Sequence, residues 1–339
     1  MNILITGVAG FIGFHTAEKL LKKNNNIIGI DNLNNFYDQK LKNDRIKYLK
    51  KNYRERFVFY KKDLKNKREL NSIFLKKKIK LVINLAAQAG VRYSLKKPRE
   101  YLNSNIIGFF NLIEVCKEFN VKRLVFASTS SVYGNNIEIP FKESHTADHP
   151  IQFYAATKRS NELIAHAYSS LYEIETVGLR FFTVYGPWGR PDMALFKFVK
   201  NIIQKKPIEI FNFGKHVRDF TYIDDIINGI VLATFSKKIF KKKIKTKVNL
   251  TPDHGISKFR ILNIGSGKQT ELMKYIKIIE KELKIKAIKK YLPLQKGDIQ
   301  ETLSHVYNFK KLGYNPKTNP EIGIKKFIKW YKEYYKINL

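Results

Sequence analysis

The stretch NILITGVAGFIGFHTAEKLLKK (residues 2–23) decides the fold. Its first five residues form an apolar run of strand length, and an amphipathic helical pattern begins at Phe11. Between them Gly7, Gly10 and Gly13 are spaced G-x-x-G-x-x-G. Glycines at a strand-to-helix junction allow a tight turn and a close backbone approach to a pyrophosphate at the helix N-terminus. Gly7, Gly10, Phe11, Ile12 and Gly13 are therefore expected to hold a dinucleotide. The next apolar run, NIIGID (26–31), ends in Asp31, about 20 residues on, where an acid bonds the adenosine ribose. A carboxylate there repels the extra phosphate of NADP, so NAD is expected, with Asn32 beside it. RFVFYKKDL (56–64) brings Asp63 and Leu64 to the adenine, and LVINLAA (81–87) adds Ala86 to the cofactor set.

Outward from this unit the pattern repeats. Helical patterns near 38–52, 66–77, 99–118 and 153–172 alternate with apolar runs at 81–87, 121–128 and 175–182. Such alternation predicts an α/β chain with a doubly wound parallel sheet, a Rossmann fold. After about residue 180 the pattern changes to a Pro/Gly-rich loop, helices and short strands, including ILNIGSG (261–267). This divides the chain into a dinucleotide-binding domain, 1–180, and a smaller mixed α/β substrate lobe, 181–339, partly interleaved with the first. A cleft between them is where a substrate is expected.

ASTSSVYG (127–134) and YAATK (154–158) carry candidate chemistry. On a helix, Tyr154 and Lys158 stand one turn apart on one face. A phenol titrates at about 10, and a neighbouring ammonium favours its phenolate, so the pair is expected to form a base working nearer neutral pH. Thr129 supplies a hydroxyl from the end of an apolar run. Together the three can draw a proton from a substrate alcohol while hydride leaves.

Composition narrows the class. At 339 residues the chain fits one or two domains at roughly 100–200 residues each. No apolar run approaches the ~18 residues of a membrane span, and MNILITGVAG lacks the basic start of a signal peptide. The single cysteine, Cys116, excludes an intramolecular disulfide, and the expected location is the cytoplasm. The formal charge of +35 comes from lysines spread over the whole chain. The densest run, 237–247, is expected in a solvated loop, so neither nucleic acid nor membrane is an expected partner; the field would attract an anionic substrate. His15, His145, His149 and His166 show no metal-ligand spacing, and no metal is expected.

The glycine motif, NLAAQAGV (84–91), STSSVYG (128–134), Y-x-x-x-K and RFFTVYGP (180–187) resemble the extended short-chain dehydrogenase/reductase family, over nearly the whole chain. DNLNNFYDQKLKNDRI (31–46), RPDMALFKF (190–198) and GKHVRDFTYIDD (214–225) are similar to its UDP-glucuronate 4-epimerases. The resemblance implies inversion at C4 of UDP-glucuronate to UDP-galacturonate, for surface polysaccharide, through a 4-keto intermediate and bound NAD. It implies that Tyr154 takes the 4-hydroxyl proton, Lys158 holds the nicotinamide ribose and Thr129 bonds the 4-oxygen. Related dehydratases and decarboxylases carry acids after the threonine; this chain has Ser130 and Ser131, which implies epimerisation without chemistry at C5. Arg190 would bind the uronate carboxylate, with Thr183, Ser130 and Ser131 adding hydrogen bonds. Arg218 would hold the UDP phosphates and Asp298 the uridine ribose. Two alternatives stay open: Arg218 pairing with Asp219, and Asp298 initiating a turn. The role of Gln88 stays undefined. The helices near 99–118 and 153–172 resemble the family's dimer bundle, implying a homodimer. The rival readings are a 4-epimerase of UDP-glucose or UDP-N-acetylglucosamine, and a UDP-glucuronate decarboxylase.

Overall fold

The computed structural model describes residues 1–240 and 250–337. Seven parallel strands form the central sheet: β1 (Asn2–Thr6), β2 (Asn26–Asp31), β3 (Phe57–Lys61), β4 (Leu81–Asn84), β5 (Arg123–Thr129), β6 (Glu175–Phe181) and β7 (Phe259–Ile264). Their order is β7-β6-β5-β4-β1-β2-β3. The order reverses beside β1, the switch point that opens a crevice at the carboxyl ends of the strands. Register brings the site-bearing ends level: Thr6 pairs with Ile30 and with Asn84, and Thr129 with Phe181.

Period-2 side chains explain why both faces are covered. Ile3 and Ile5 join one buried cluster, while Leu4 between them joins the other. On the first face lie α1 (Phe11–Lys22) and α2 (Gln39–Asn52); on the second, α3 (Lys67–Lys77) and α4 (Gly108–Glu118). The 20-residue α5 (Phe153–Tyr172) crosses the sheet beside α4.

Two elements differ from the sequence reading. The helix expected over 99–118 is broken: Pro98–Tyr101 is one helical turn, Leu102–Ile107 is a π-turn, and α4 resumes at Gly108. Periodicity cannot show a widened turn whose axis stays continuous. The strand in ILNIGSG belongs to the main sheet as β7, paired with β6 along its whole length. The lysine-rich run 237–247 begins in a 3-10 turn, Lys237–Phe240; its remainder lies outside the described residues.

The rest of the C-terminal half builds over the crevice. Thr183–Tyr185 pairs with Phe220–Tyr222, Val217–Arg218 with Thr270–Glu271, and Ile208–Ile210 with Lys289–Tyr291. Helices α6 (Ala194–Ile203), α7 (Ile223–Phe235), α8 (Leu272–Leu283) and α9 (Pro320–Tyr335) enclose these short sheets. Trp330 and Tyr334 of α9 pack on Trp188, in the loop before α6.

Beneath β5 and β6 lies a buried ionic cluster. Glu162 of α5 accepts from Arg180 Nε at 2.9 Å and Nη2 at 2.8 Å, from Arg159 at 3.0 Å, and from Ser128 Oγ at 2.5 Å. Burial alone would push its carboxyl up; Arg180 and the other donors hold it below the usual range. Glu162→Ala leaves the Arg180 guanidinium buried and uncompensated, and should cost about 3–5 kcal/mol by denaturant unfolding. Lys22→Ala, which removes an exposed pair with Glu18, should cost less than about 1 kcal/mol.

Candidate active site

At the β1–α1 junction Gly7 adopts φ +69°, and its carbonyl accepts from Gly10 N at 2.9 Å. A Cβ on Gly13 would stand 2.1 Å from that carbonyl, and one on Gly7 2.7 Å from Ala86 N. Helix α1 begins without a side-chain cap, so its first amides are available to an anion. Asp31 takes up the turn from the other side: its carboxylate accepts from Ala9 N at 3.1 Å and Leu33 N at 2.8 Å. Burial pushes the Asp31 carboxyl up, opposed by those amides and by Lys42. Asp63 accepts from Asn32 Nδ2 at 2.9 Å. A glycine cradle that tolerates no side chain, an uncapped helix start and a paired acid fit a dinucleotide carrying a free ribose hydroxyl.

One cavity joins this cradle to the chemistry. It is lined by Gly7, Gly10, Phe11, Ile12 and Gly13, by Asp31, Asn32, Asp63, Leu64 and Ala86, and by Thr129, Tyr154, Lys158 and Arg190. Thr183 lines an adjoining small hollow shared with Arg190 and Met193. Ser130 and Ser131 open a 3-10 turn capped by the Thr129 hydroxyl, which accepts from Ser131 N at 3.2 Å. Neither serine lines the main cavity, and neither do Arg218 and Asp298. Arg218 does not pair with Asp219. It donates to Asp298 at 3.2 Å and to Gln300 O at 2.7 Å, with Arg92 and His216 near the same carboxylate. Asp219 is buried and accepts from Ser266, Gly267 and Ser304. Asp298 also caps its own turn, through Ile299 N at 3.0 Å.

The protonation pattern corrects one expectation. Burial pushes the Tyr154 phenol above its usual value rather than toward neutrality. The groups that oppose this are the Thr129 hydroxyl and the Arg190 charge. Lys158 is itself desolvated, from the usual 10.5 down to about 8, with Glu162 pulling the other way. Its ammonium donates to Asn161 Oδ1 at 3.1 Å. Desolvation is the largest influence on both residues, and in each it disfavours the charged form.

Several residues here carry no sequence motif of their own. Asn105, in the π-turn, holds the backbone of Gln88 at 2.8 and 3.0 Å and accepts through its carbonyl from Asn161 at 2.7 Å. Lys42 donates to Asn34 O and Oδ1 at 2.7 and 2.6 Å beside Asp31. Arg45 is fully buried; it donates to Ala9 O at 2.7 Å, to Tyr37 Oη at 2.8 Å, and to the carbonyls of Trp188 and Gly189. The signal for Arg45 was its phase, between Leu41 and Leu49 on the buried stripe of α2. Among the described residues no group of three or more His, Cys, Asp and Glu could hold a metal ion, and no helix is long and apolar enough to cross a membrane.

The family model for the NAD dependent epimerase/dehydratase family matches residues 3–244. Protein CapI of Staphylococcus aureus is 47% identical over 337 residues, covering 99% of this chain and all of that one. A probable UDP-glucuronate 4-epimerase of Rhizobium meliloti is 41% identical, covering 99% of this chain and 98% of its own. The crystal structure of UDP-glucuronic acid 4-epimerase from Bacillus cereus, in complex with UDP-glucuronic acid and NAD, superposes with a TM-score of 0.87. It is 34% identical, over 99% of this chain and 100% of that chain.

The depressed Lys158 value makes a testable demand on stability. Between about 8 and 10.5 the unfolded chain keeps this proton and the folded chain does not, so stability contributed at Lys158 rises with pH across that window. The stability of Lys158→Met relative to the parent should therefore fall as pH rises through about 8. Denaturant unfolding of cofactor-stripped protein from pH 7 to 10 measures the difference.

Proposed function

The chain belongs to the NAD dependent epimerase/dehydratase family, and from that premise we propose that it interconverts UDP-glucuronate and UDP-galacturonate by inversion at C4. One observation carries the reading: Thr129, Tyr154, Lys158 and Arg190 line the same cavity as the glycine cradle and Asp31. A proton acceptor for an alcohol, a cation for a carboxylate and a dinucleotide cradle thus share one space.

NAD, when bound, accepts the hydride from C4 and returns it, and is unchanged after each turnover. The first amides of α1, from Phe11 to Gly13, and the glycine turn hold its pyrophosphate. Asp31 and Asn32 hold the adenosine ribose; Asp63, Leu64 and Ala86 border the adenine side. Tyr154 takes the proton of the 4-hydroxyl and gives it back, Thr129 bonds the 4-oxygen, and Lys158 holds the nicotinamide ribose. The Thr129 hydroxyl and the Arg190 charge beside Tyr154 favour its phenolate and oppose the effect of burial.

A uronate adds a hazard at the 4-keto stage. The C5–C6 bond can break, sending its electron pair into the C4 carbonyl and releasing carbon dioxide. That loss is fastest when the bond stands perpendicular to the carbonyl plane. Arg190 grips the carboxylate through its planar fork, with Thr183 of the adjoining hollow, and Ser130 and Ser131 from the turn that follows Thr129, adding hydrogen bonds. No carboxylate stands at 130 or 131 to promote chemistry at C5. Arg218 meets the diphosphate and Asp298 the uridine ribose. In this division residues 1–180 hold NAD and 181–339 the UDP-sugar.

We further infer a homodimer through the π-turn, α4 and α5, where Ile107, Phe110, Leu163 and Leu171 are exposed. The cytoplasm is the proposed location, consistent with the single, buried Cys116 thiol.

Purified protein given UDP-glucuronate should form UDP-galacturonate by NMR; a pentose as sole product would overturn the reading. Tyr154→Phe should lower kcat by about 10²–10⁴-fold while NAD is retained. Arg190→Ala should weaken UDP-glucuronate binding far more than UDP-glucose binding, read by calorimetry.

A further inference from the structure

The guanidinium of Arg190 is already held by a carboxylate of its own loop. Asp192 accepts from Nε at 3.0 Å and from Nη2 at 2.6 Å, so one whole edge of the fork is engaged bidentately. The Phe36 ring lies against the plane, with its centroid 5.7 Å away. Nη1 makes no hydrogen bond with any described residue, and it is not sealed from solvent. The Nη1–Nη2 edge is therefore the one left for a second carboxylate.

The backbone before Arg190 is fixed as well. Arg45 donates to the carbonyls of Trp188 and Gly189, and Met193 N closes a turn on Arg190 O at 3.1 Å around Asp192. The side chains of the Arg190–Asp192 pair are 22% and 29% exposed. The two parallel bonds of this partly buried pair fix the direction of the fork beside the catalytic cavity.

We propose that Asp192 is a positioning residue for the uronate: it holds the Arg190 fork in one place and plane, so that the substrate carboxylate, and C6 with it, is met end-on in one position. This rests on Arg190 reading the carboxylate, as set out above. A fork bound along Nε and Nη2 cannot turn about its own axis, and a carboxylate paired with the other edge becomes coplanar with it. With the sugar anchored through its diphosphate, holding the carboxylate in one place also holds C6, and so the O4–C4–C5–C6 torsion on which decarboxylation of the 4-keto sugar depends. Without Asp192 the fork still attracts the carboxylate but no longer holds C6 in one place. The C5–C6 bond then samples the perpendicular geometry, carbon dioxide leaves, and C5 takes a proton from water.

The test compares Asp192→Ala, Asp192→Asn and Arg190→Ala, with UDP binding by calorimetry as the control for an intact site. NMR follows UDP-galacturonate and decarboxylated UDP-pentose products from UDP-glucuronate. Asp192→Ala should raise the ratio of decarboxylated to epimerised product by about tenfold. Asp192→Asn, whose amide oxygen still accepts one bond, should raise it less, with UDP affinity unchanged within about twofold in both. An unchanged ratio in Asp192→Ala with UDP binding intact would overturn the proposal. So would tighter UDP-glucuronate binding at an unchanged ratio, which would make Asp192 a competitor of the substrate. If Asp192→Ala cannot bind UDP, Asp192→Asn carries the same test: a raised ratio supports the proposal and an unchanged one overturns it. If Arg190→Ala weakens UDP-glucuronate and UDP-glucose equally, the reading of Arg190 falls and this proposal with it. If Arg190→Ala discriminates but the Asp192 variants leave the ratio unchanged, only the role of Asp192 falls.

Discussion

The carbonyl of Gly7 lies 2.1 Å from where a Cβ on Gly13 would stand. That backbone contact sets how closely α1 approaches the end of β1, and much of the molecule is arranged around it. It opens the crevice at the point where strand order reverses. It is reinforced from two directions. Asp31 binds the amide of Ala9, and Arg45 binds the carbonyl of the same residue. Through its other nitrogen Arg45 reaches the backbone at Trp188 and Gly189. A turn in the first twenty residues is thereby tied to the loop that carries Arg190, far along the chain. The two halves of the cavity share one buried cation as their joint.

What the sequence revealed and what it hid divide along a physical line. Strand-glycine-helix order and the period of apolar residues report local conformation, and these located β1 to β6 and the main helices. Asp31 ends β2 and Asp63 follows β3 by two residues, so both stand at the carboxyl edge that forms the crevice. Arg45 and Asn161 escaped notice because their importance lies in partners distant in sequence: a fully buried guanidinium looks, in one dimension, like one more basic residue in a lysine-rich chain. The π-turn at Leu102–Ile107 was hidden for a different reason. The widened turn spans only six residues, too short a stretch for periodicity to register, yet it places Asn105 where its side chain and its carbonyl both bond elsewhere. The pull between Tyr154 and Lys158 was judged on spacing alone, which carries no information about desolvation.

Under the cavity floor, polar groups form a layer from Asn105 through Asn161 and Lys158 to Glu162 and Arg180. Each is buried, and each bond in the layer offsets part of the cost of removing it from water. Lys158 is the least compensated member, with one hydrogen bond among the described residues, 3.1 Å to a neutral amide. The layer therefore concentrates its electrostatic cost at one ammonium beside the cavity. Its neighbours Glu162 and Arg180 are fully paired and anchor α5 to the sheet. Rigidity and reactivity are thus kept one helical turn apart.

The pairing of β7 with β6 has a consequence for how the protein is made. During synthesis, Glu175–Phe181 leaves the ribosome long before Phe259–Ile264 exists to cover it. All but the first of its residues are buried in the finished sheet, and along one side its amides and carbonyls stay unpaired until then. An uncovered strand of this kind is a template for association with other chains. Residues 182–258 must be synthesised before the sheet is complete. Expressing the first half alone would make that interval permanent, so whatever division of ligands the two halves observe, they form one folding unit.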